Sequence, residues 1–406
     1  MGSINNIVLH RNKKKYSVSF DFSCDLERFF NNPGSFEQEY DVDIEAVPDS
    51  ILIVPFVANV LPIIWLTDSS IDIEELDETF FYSIPEFRHG YEEMYPSVKF
   101  KGSINVRTLV ANKHETNKKL AFFSGGADAY ATLVAHAEEK PILVTLRGAD
   151  VSLDDYEGWE NVKKPVFEAC KEFGLNHHFI SSNFRIFEKE VDLSNWAHPQ
   201  IKDSWWHGMQ HSIGLIAQAA PLCFLDGIGV VYFASSYTIK DRGRITCASD
   251  PTIDNFVRFA SARVIHDQYD FNTSEKIQHI CEYSKSTGRK ITLHVCWQSA
   301  GGKNCCHCEK CYRRIMEVTA AGANPNDYGF NVDKKIYKRI KRDVFRKITI
   351  PVPLWENVKN QFLKNRKEFA YNGDITWIYD VDLKKINRTF FKRLNNKLNR
   401  IKSKFV

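Results

Sequence analysis

The nine residues Leu120-Ala-Phe-Phe-Ser-Gly-Gly-Ala-Asp128 set the expected fold of this 406-residue chain. The apolar run from Leu120 to Phe123 is typical of a buried strand, Ser124 to Asp128 predicts a turn, and Ala129 to Lys140 predicts a helix. Two adjacent glycines let the chain turn tightly and bring backbone amides close to an anion. The free N–H groups at the start of the helix extend that cradle. We therefore expect a strand–turn–helix unit that can bind a diphosphate.

Strand and helix patterns alternate along the chain beyond this turn. Strands are expected at residues 142–146, 178–180 and 229–234, and helices at residues 160–173 and 209–220. This alternation predicts an α/β fold with a parallel sheet covered by helices on both faces. Ligands of such sheets bind at the carboxyl ends of the strands.

The regions before and after this unit differ from it in composition. The first 115 residues look β-rich, with alternating patterns at Tyr16–Phe20 and Ile104–Val110. The apolar, proline-containing run Ile51–Leu66 is expected to form buried strands and is too short to span a bilayer. The expected organisation is a β-rich N-terminal domain (1–115), a nucleotide-binding α/β domain with a zinc loop (116–330) and a basic, mainly helical C-terminal region (331–406).

The C-terminal region concentrates positive charge. Residues 331–406 hold 21 Lys and Arg against 7 Asp and Glu, whereas residues 1–330 hold 33 against 44. Helical spacing of apolar residues continues close to the C-terminus, at Phe391, Leu394, Leu398, Ile401 and Phe405. Three roles stay open for this tail: packing on the rest of the chain, docking of an acidic protein partner or nucleic acid, and contact with a membrane surface.

Overall composition excludes several classes of protein. A hydrophobic fraction of 43% and a charged fraction of 26% are ordinary for a globular chain and exclude a disordered or collagen-like one. The first residues lack the apolar segment of a secretion signal, so we expect a cytoplasmic protein without a membrane span. Ten cysteines, five of them within sixteen residues, indicate a metal site in a reducing compartment.

The clustered cysteines have the spacing of metal ligands. Cys296, Cys305, Cys308 and Cys311 offer four thiolates, the last three separated by two residues each. Four thiolates satisfy a tetrahedral Zn²⁺ and leave no open position, so the predicted site is structural; an iron–sulfur cluster is the other occupant that thiolates select. Cys306 is a spare thiol that could replace a ligand or carry sulfur.

Two motifs carry a resemblance to a known family. Ser124-Gly-Gly-Ala-Asp128 resembles the phosphate-binding PP-loop of the ATP pyrophosphatases, except that Ala129 stands where that signature has a serine. The segment from Thr292 to Arg314, with its four cysteines, looks like the zinc loop of 7-cyano-7-deazaguanine synthases of the same superfamily. The resemblance covers roughly residues 120–325 and leaves the N-terminal region and the tail outside it.

The resemblance implies a chemistry and a set of site residues. Members of this family use ATP to adenylate the carboxylate of 7-carboxy-7-deazaguanine, which ammonia then attacks; enlarged relatives in anti-phage defence operons are thought to use an amine of a partner protein. By this resemblance the chain is an AMP-forming ligase in queuosine-like base chemistry, with a partner protein docking on the basic tail and nucleic acid as the less expected partner. The implied residues are Asp128 and Ser124 for catalysis, Ser124, Gly125, Gly126, Asp128 and Gly148 for ATP and Mg²⁺, Ser235, Asp250 and Asp254 for the substrate, and the four cysteines for Zn²⁺.

Other interpretations of the same residues stay open. The glycine turn can be a plain tight turn with an aspartate capping the helix, and Asp250 and Asp254 can be ordinary turn carboxylates. Cys306 and the basic tail also fit a PP-loop sulfurtransferase that acts on RNA or a nucleotide. Because Ala129 lacks the usual hydroxyl, a module that binds ATP without cleaving it is a third hypothesis.

Overall fold

The computed structural model describes residues 2–32, 34–113, 117–296, 303–369 and 373–387. The chain divides into two compact units, each made of several segments. Unit 1 comprises residues 1–124, 135–159 and 173–270, and unit 2 comprises residues 125–134, 160–172 and 271–406.

Unit 1 contains one large sheet, and its strands account for all the named strands of the described residues. The strands are β1 (Ser3–Asn12), β2 (Lys15–Phe22), β3 (Gly34–Tyr40), β4 (Ser70–Asp77), β5 (Ser103–Val110), β6 (Lys118–Phe122), β7 (Ile142–Arg147), β8 (His177–Ser182), β9 (Ile228–Ala234), β10 (Arg258–Phe259) and β11 (Ala262–Asp267). Their order across the sheet is β10-β11-β9-β6-β7-β8-β3-β2-β1-β4-β5. The expected α/β fold with a large, mostly parallel sheet is confirmed.

The parallel part of the sheet is built around β6. Strands β11, β9, β6, β7 and β8 are parallel neighbours in that order. The chain moves outward from β6 to β7 and β8, then returns to the other side of β6 with β9 and β11. Ligands of open α/β sheets bind beyond the carboxyl ends of the strands at such a reversal, and the glycine turn follows β6 directly.

The N-terminal strands extend the same sheet. β3 pairs antiparallel with β8, and β2, β1, β4 and β5 follow outward. Side chains of β3 also bond the short turn before α8, since Gln38 bonds the buried Gln218 and the hydroxyl of Tyr40 donates to the Gln218 carbonyl (3.0 Å). The predicted border between residues 115 and 116 thus falls inside unit 1, whose sheet runs across it.

Sixteen α-helices occur in the described residues. They are α1 (Asp49–Leu52), α2 (Val54–Thr67), α3 (Glu78–Met94), α4 (Ala127–Ala135), α5 (Tyr156–Phe173), α6 (Glu190–Ile201), α7 (Ile213–Ile216), α8 (Ala220–Asp226), α9 (Pro251–Asp254), α10 (Thr273–Thr287), α11 (Glu309–Ala320), α12 (Ile336–Arg346), α13 (Val352–Lys364), α14 (Arg366–Phe369), α15 (Trp377–Asp380) and α16 (Leu383–Ile386). None of them combines the length and apolar character that crossing a membrane requires.

The prediction of strands for Ile51–Leu66 is wrong, because this run is helical. Every residue of α2 from Val54 to Trp65 is buried. A helix that is buried on all sides has no polar face, so its sequence lacks the 3.6-residue period that would have identified it. The N-terminal region consequently mixes strands with the helices α1, α2 and α3.

The single helix predicted for residues 209–220 is also wrong. The chain forms a π-helical turn at Trp206–Gln210, then α7, a short 3₁₀ turn and the start of α8. Ser212 interrupts the helix with φ −127° and ψ −96°, and its hydroxyl bonds the buried carboxylate of Asp254. A local pattern does not reveal such a long-range contact.

The named elements of unit 2 among the described residues are helices. Helices α10, α11 and α13 pack against one another, and α15 and α16 pack on α13. The predicted helical stripe from Phe391 to Phe405 lies outside the described residues.

Candidate functional site

Four cysteines of unit 2 converge on one point. The sulfur atoms of Cys296, Cys305, Cys308 and Cys311 all lie within 4.8 Å of one another. Two of the separations are 3.9 Å (Cys296 to Cys308) and 3.8 Å (Cys305 to Cys311). A tetrahedral Zn²⁺ with Zn–S bonds of about 2.3 Å requires sulfurs about 3.8 Å apart, so the arrangement fits this metal. The predicted four-cysteine cluster is confirmed.

Local backbone geometry prepares these thiols to act as ligands. The amide of Cys308 donates to the Cys305 sulfur (3.3 Å), and the amide of Cys311 donates to the Cys308 sulfur (3.4 Å). Cys308 is also the N-cap of α11, where the helix dipole favours negative charge. Hydrogen bonding from Cys311 lowers the pKa of the Cys308 thiol to about 5. These features stabilise the thiolate of Cys308, which is the form that binds metal, whereas burial raises the pKa of the Cys305 thiol to about 11.

Cys306 stands apart from the four ligands. Its sulfur lies 3.4 Å from the backbone oxygen of Asn304, and it does not belong to the cluster. Its backbone is left-handed, with φ +55°. Burial raises the pKa of its thiol, which disfavours the reactive thiolate.

Asn304 connects the cysteine cluster to the glycine turn, and sequence reasoning did not identify it. Its amide group donates to the Leu293 oxygen (2.7 Å), and its side-chain oxygen accepts from the amide of Val295 (3.0 Å). Between these two residues, the amide of His294 donates to the Gly125 oxygen (2.7 Å). The segment that leads into the first cysteine ligand is therefore hydrogen-bonded to the predicted phosphate loop.

The glycine turn adopts the geometry that its sequence predicts. Gly125 has φ +73°, and a Cβ there would lie 3.3 Å from the Cβ of His294. Helix α4 begins two residues later, and Gly126 accepts a hydrogen bond from the amide of Tyr130 (2.9 Å). Ser124 is exposed at the end of unit 1, whereas Gly125 and the residues after it belong to unit 2.

Two buried cations flank Asp128 in the first turn of α4. Lys276 on α10 is 1% exposed, and its ammonium lies 3.2 Å from the Asp128 carboxylate. Arg314 on α11 is also buried; burial alone would lower the pKa of its guanidinium, but attraction to Glu317 and Asp128 raises it. The Nε of Arg314 has no hydrogen-bond partner among the described residues. Unit 2 thus places two buried cations near the start of α4, Lys276 paired with Asp128 and Arg314 paired with Glu317.

The arginine pair after the cysteines differs in environment from ordinary surface arginines. Arg313 and Arg314 are both buried on α11. Arg313 pairs with Glu309 (2.9 Å), and Arg314 pairs with Glu317 (2.6 Å). Buried pairs of this kind are costly to break, because the remaining charge is left without compensation.

The other predicted site residues belong to unit 1. Gly148 follows β7 with φ +102°, and a Cβ there would approach the Ser182 backbone oxygen to 1.9 Å, which only glycine avoids. Ser235 is completely buried at the end of β9, and its amide donates to the Asp267 oxygen (2.9 Å). Asp250 caps α9 by accepting from the amide of Thr252 (2.9 Å).

Asp254 lies at the centre of a buried polar cluster. Its carboxylate accepts from Nδ1 of His266 (2.7 Å), from the hydroxyl of Ser249 (3.0 Å) and from the hydroxyl of Ser212. Burial raises the pKa of this carboxyl, and the hydrogen bond from His266 opposes that rise. Both carboxylate oxygens are therefore engaged within unit 1.

One cavity of unit 1 lies away from these residues. It is an open groove of about 800 Å³ between α3 and the β10–β11 hairpin. Charged side chains line it, among them Glu78, Glu86, Lys113, Arg258 and Arg263. None of the predicted site residues contributes to it.

Comparison of the chain with protein-family models, with curated proteins and with solved structures found no match.

Proposed function

We propose that this protein is an ATP-dependent, AMP-forming ligase of the PP-loop type, which adenylates a carboxylate and transfers the acyl group to an amine. The observation that carries the proposal is the surroundings of Asp128. A left-handed glycine, the N-terminus of α4 and two buried cations meet beside this carboxylate. Backbone amides and cations are what a diphosphate requires, and a carboxylate beside them can hold Mg²⁺.

Each of these groups has a separate role in the proposed reaction. The amides of the glycine turn hold the phosphates of ATP, and Asp128 holds Mg²⁺. Lys276 and Arg314 neutralise the negative charge that develops on the leaving diphosphate. The substrate carboxylate attacks the α-phosphorus, diphosphate leaves, and AMP is then displaced by an amine. The substrate we propose is 7-carboxy-7-deazaguanine, the base that the resemblance of the cysteine segment implies.

The proposed metal at the four cysteines is Zn²⁺, in a structural role. Thiolates fill all four positions of a tetrahedron, which leaves none for a reacting group. The bonds from Asn304 to Leu293 and Val295, and from His294 to Gly125, connect this metal site to the phosphate loop. Bound zinc would thereby hold the glycine turn in its phosphate-binding shape.

The decisive experiment is product analysis with the whole chain. Zinc-loaded protein is incubated with ATP, Mg²⁺ and 7-carboxy-7-deazaguanine, with and without ammonium, and the products are identified by mass spectrometry. We expect AMP together with an adenylate, amide or nitrile of the base. AMP without a base product keeps the adenylation chemistry and indicates another carboxylate, whereas ATP binding without any AMP favours a binding-only module.

A pair of matched variants tests the role of Asp128. Asp128→Asn removes the charge that would hold Mg²⁺ and should lower AMP formation by at least 100-fold. Asp154→Asn makes the same change at an exposed position of unit 1 and should leave AMP formation unchanged. Thermal unfolding of both variants separates lost catalysis from lost folding, since Asp128 also pairs with Lys276. Full AMP formation by Asp128→Asn would contradict the proposal.

The sulfurtransferase hypothesis receives less support from the geometry. It needs Cys306 as a reactive thiol, yet Cys306 is buried and its pKa is raised. Replacing Cys306 with Ser should therefore leave the activity of the protein intact.

A further inference from the structure

Glu188 is an acid enclosed in the interior of unit 1. It is 2% exposed and lies in the segment between β8 and α6. Its Oε1 accepts a hydrogen bond from the indole N–H of Trp205 (2.9 Å). Its Oε2 is buried and has no hydrogen-bond partner among the described residues. An ionised carboxylate with one oxygen unpaired in the interior is very costly, so the protonation state of this group needs an explanation.

The side-chain amide of Gln210, on the π-helical turn of unit 1, has a fixed orientation. Its Nε2 donates to Oδ1 of Asn59 and to the Phe184 oxygen, both at 2.9 Å. Asn59 is fixed in turn, because its Nδ2 donates to the backbone oxygens of Pro55 (2.8 Å) and Gly214 (3.3 Å). Both hydrogens on Nε2 of Gln210 are therefore in use. Its Oε1 is buried and has no partner within the part of the chain that the structure describes.

A single proton accounts for both unpaired oxygens. The side chain of Gln210 lies within hydrogen-bonding reach of the Glu188 carboxyl. When that carboxyl is ionised, Oε2 of Glu188 and Oε1 of Gln210 are both acceptors, so neither can satisfy the other. A proton on Oε2 makes this oxygen a donor and gives each atom a partner. Burial favours the same form, because it raises the pKa of the Glu188 carboxyl well above its usual range.

Two charged groups of the described chain act on the Glu188 carboxyl, and their effects oppose each other. The negative charge of Glu190 raises its pKa, and the positive charge of Arg185 lowers it. The guanidinium of Arg185 bonds both carboxylate oxygens of Glu190 at 2.7 Å, so these two charges compensate each other. The groups in direct contact with the carboxyl, Trp205 and Gln210, are neutral. Ionisation of Glu188 therefore stays unfavourable at neutral pH.

We propose that Glu188 is protonated at neutral pH and donates its proton to Oε1 of Gln210, and that this pair is a latch which opens when the proton is lost. The latch joins three parts of unit 1: α2 through Asn59, the segment after β8 through Glu188, and the π-helical turn through Gln210. The segment after β8 also forms a β-bridge with Phe30. At alkaline pH the proton passes to solvent, and the buried charge then faces an acceptor oxygen. Because ligands of parallel sheets bind at the carboxyl ends of the strands, opening would loosen that edge beside β8. The inference is independent of the ligase activity proposed above.

The sign of the expected pH dependence follows from this assignment. Because the folded pKa of Glu188 lies above the unfolded value of about 4.3, its contribution to stability is complete below that pH and is lost as the pH rises towards and through the folded pKa. Glu188→Gln is neutral in both states, and its amide can donate to Gln210 while its oxygen accepts from Trp205. Urea unfolding of the whole, zinc-loaded chain gives the folding equilibrium constants. We expect the constant of this variant, divided by that of the wild type, to rise about tenfold per pH unit between pH 5 and pH 7.

Two further measurements examine the proton and the latch directly. Infrared difference spectra between the wild type and Glu188→Gln at pH 7 should show the carbonyl band of a protonated carboxyl, whereas Glu27→Gln, at an exposed position of unit 1, should not. At pH 9.5 residues 183–190 and 206–210 should exchange hydrogen faster in the wild type than in Glu188→Gln, and at pH 6 equally fast. A stability ratio that is constant with pH, a missing infrared band, or equal exchange at both pH values would overturn the inference. Failure of Glu188→Gln to fold would also overturn it, since the amide reproduces both hydrogen bonds of the protonated acid.

Discussion

The cysteine cluster and the Asp254 cluster are both buried groups of polar side chains, but they are held in opposite ways. The four thiols converge on one another, and backbone amides point at two of their sulfurs. Asp254 is surrounded by the continuous apolar core of unit 1, which includes Ile253, Val257 and Val264. Its neighbours Ser212, Ser249 and His266 supply its hydrogen bonds.

This difference determines what each region needs in order to stay folded. Four converging thiolates repel one another unless a cation lies between them, so the cysteine cluster depends on its metal. The Asp254 cluster already has its hydrogen bonds within the protein, and burial of apolar surface around it provides the stability. Metal removal should therefore disturb unit 2 and leave unit 1 folded.

Loss of the metal has the largest expected effect. Structural zinc contributes on the order of 10 kcal/mol to the folding of small zinc domains. Cys308→Ser should abolish binding of one Zn²⁺ per chain and open residues 291–296 and 303–320 to hydrogen exchange, while the strands of unit 1 stay protected. Metal analysis and exchange mass spectrometry measure both effects. Cys306→Ser is the matched control and should keep the metal; a full zinc content in Cys308→Ser would refute the ligand assignment.

Removal of the Asp254 carboxylate should be the next largest effect. Asp254→Ala leaves His266 and two serines without their buried acceptor, which costs about 3–5 kcal/mol in unfolding free energy. Asp250→Ala, four residues earlier, removes only an N-cap and should cost about 1 kcal/mol. Urea unfolding measures both values. Loss of zinc from Asp254→Ala would contradict the expectation that the two clusters are stabilised independently of each other.

Asn304 tests how far the metal site depends on its hydrogen-bonded surroundings. Asn304→Ala removes the bonds to Leu293 and Val295 and should cost about 1–3 kcal/mol. We expect zinc affinity and ATP affinity to fall together, by about 10-fold for zinc, since both loops use this connection. Competition with a zinc chelator and titration with ATP provide the measurements. Asn12→Ala, at the exposed end of β1, is the control; unchanged ATP affinity would separate the two loops.

The smallest expected effect is a pH dependence confined to unit 1. Burial alone would lower the pKa of His178, but hydrogen bonds to Asp226 (2.9 Å) and Asp41 (3.1 Å) raise it to about 9. Because the folded pKa exceeds the unfolded value of about 6.5, the stabilisation is complete below pH 6.5 and is lost as the pH rises through 9.

The His178 contribution should be about 1–2 kcal/mol after allowance for solvent screening. Urea unfolding of the wild type and of His178→Gln at pH 6.5 and pH 9.5 tests it. The difference in stability between the two proteins should shrink at pH 9.5. Acidification should instead lower the stability of unit 2, because protonation of the thiolates releases zinc. An equal difference at both pH values would contradict the assigned ion pairs.

Structural features that depend on residues close together in the chain were predictable from the sequence. The strand–turn–helix at Leu120–Ala135 and the spacing of the four cysteines depend on neighbouring residues, and the structure confirms the mostly parallel sheet and the thiol cluster. The identity of the metal, the nucleotide and the substrate stays a prediction. The strand prediction for Ile51–Leu66 failed because a uniformly buried segment has no polar residues at regular spacing, and that spacing is what distinguishes a helix from a strand.

Sequence patterns could not identify the residues that contact the predicted site residues in the folded chain. Lys276 is 148 residues from Asp128, and His266 is 12 residues from Asp254 across a turn and a strand. Single lysines and histidines have no spacing to recognise, so only the folded chain brings them to their partners. Arg314 was noticed because it follows the cysteines, but its burial beside Asp128 was not foreseeable.

The antiparallel pairing of β3 with β8 has a practical consequence for making this protein in the laboratory. A fragment of residues 116–330 would carry β8 with its amides and carbonyls unpaired along one side, and would leave Gln218 without Gln38 and Tyr40. An open strand edge of this kind pairs with other chains and drives insoluble aggregation during expression. Residues 116–330 therefore should not be expressed as a separate fragment, and trimming for crystallisation should leave the first 110 residues in place.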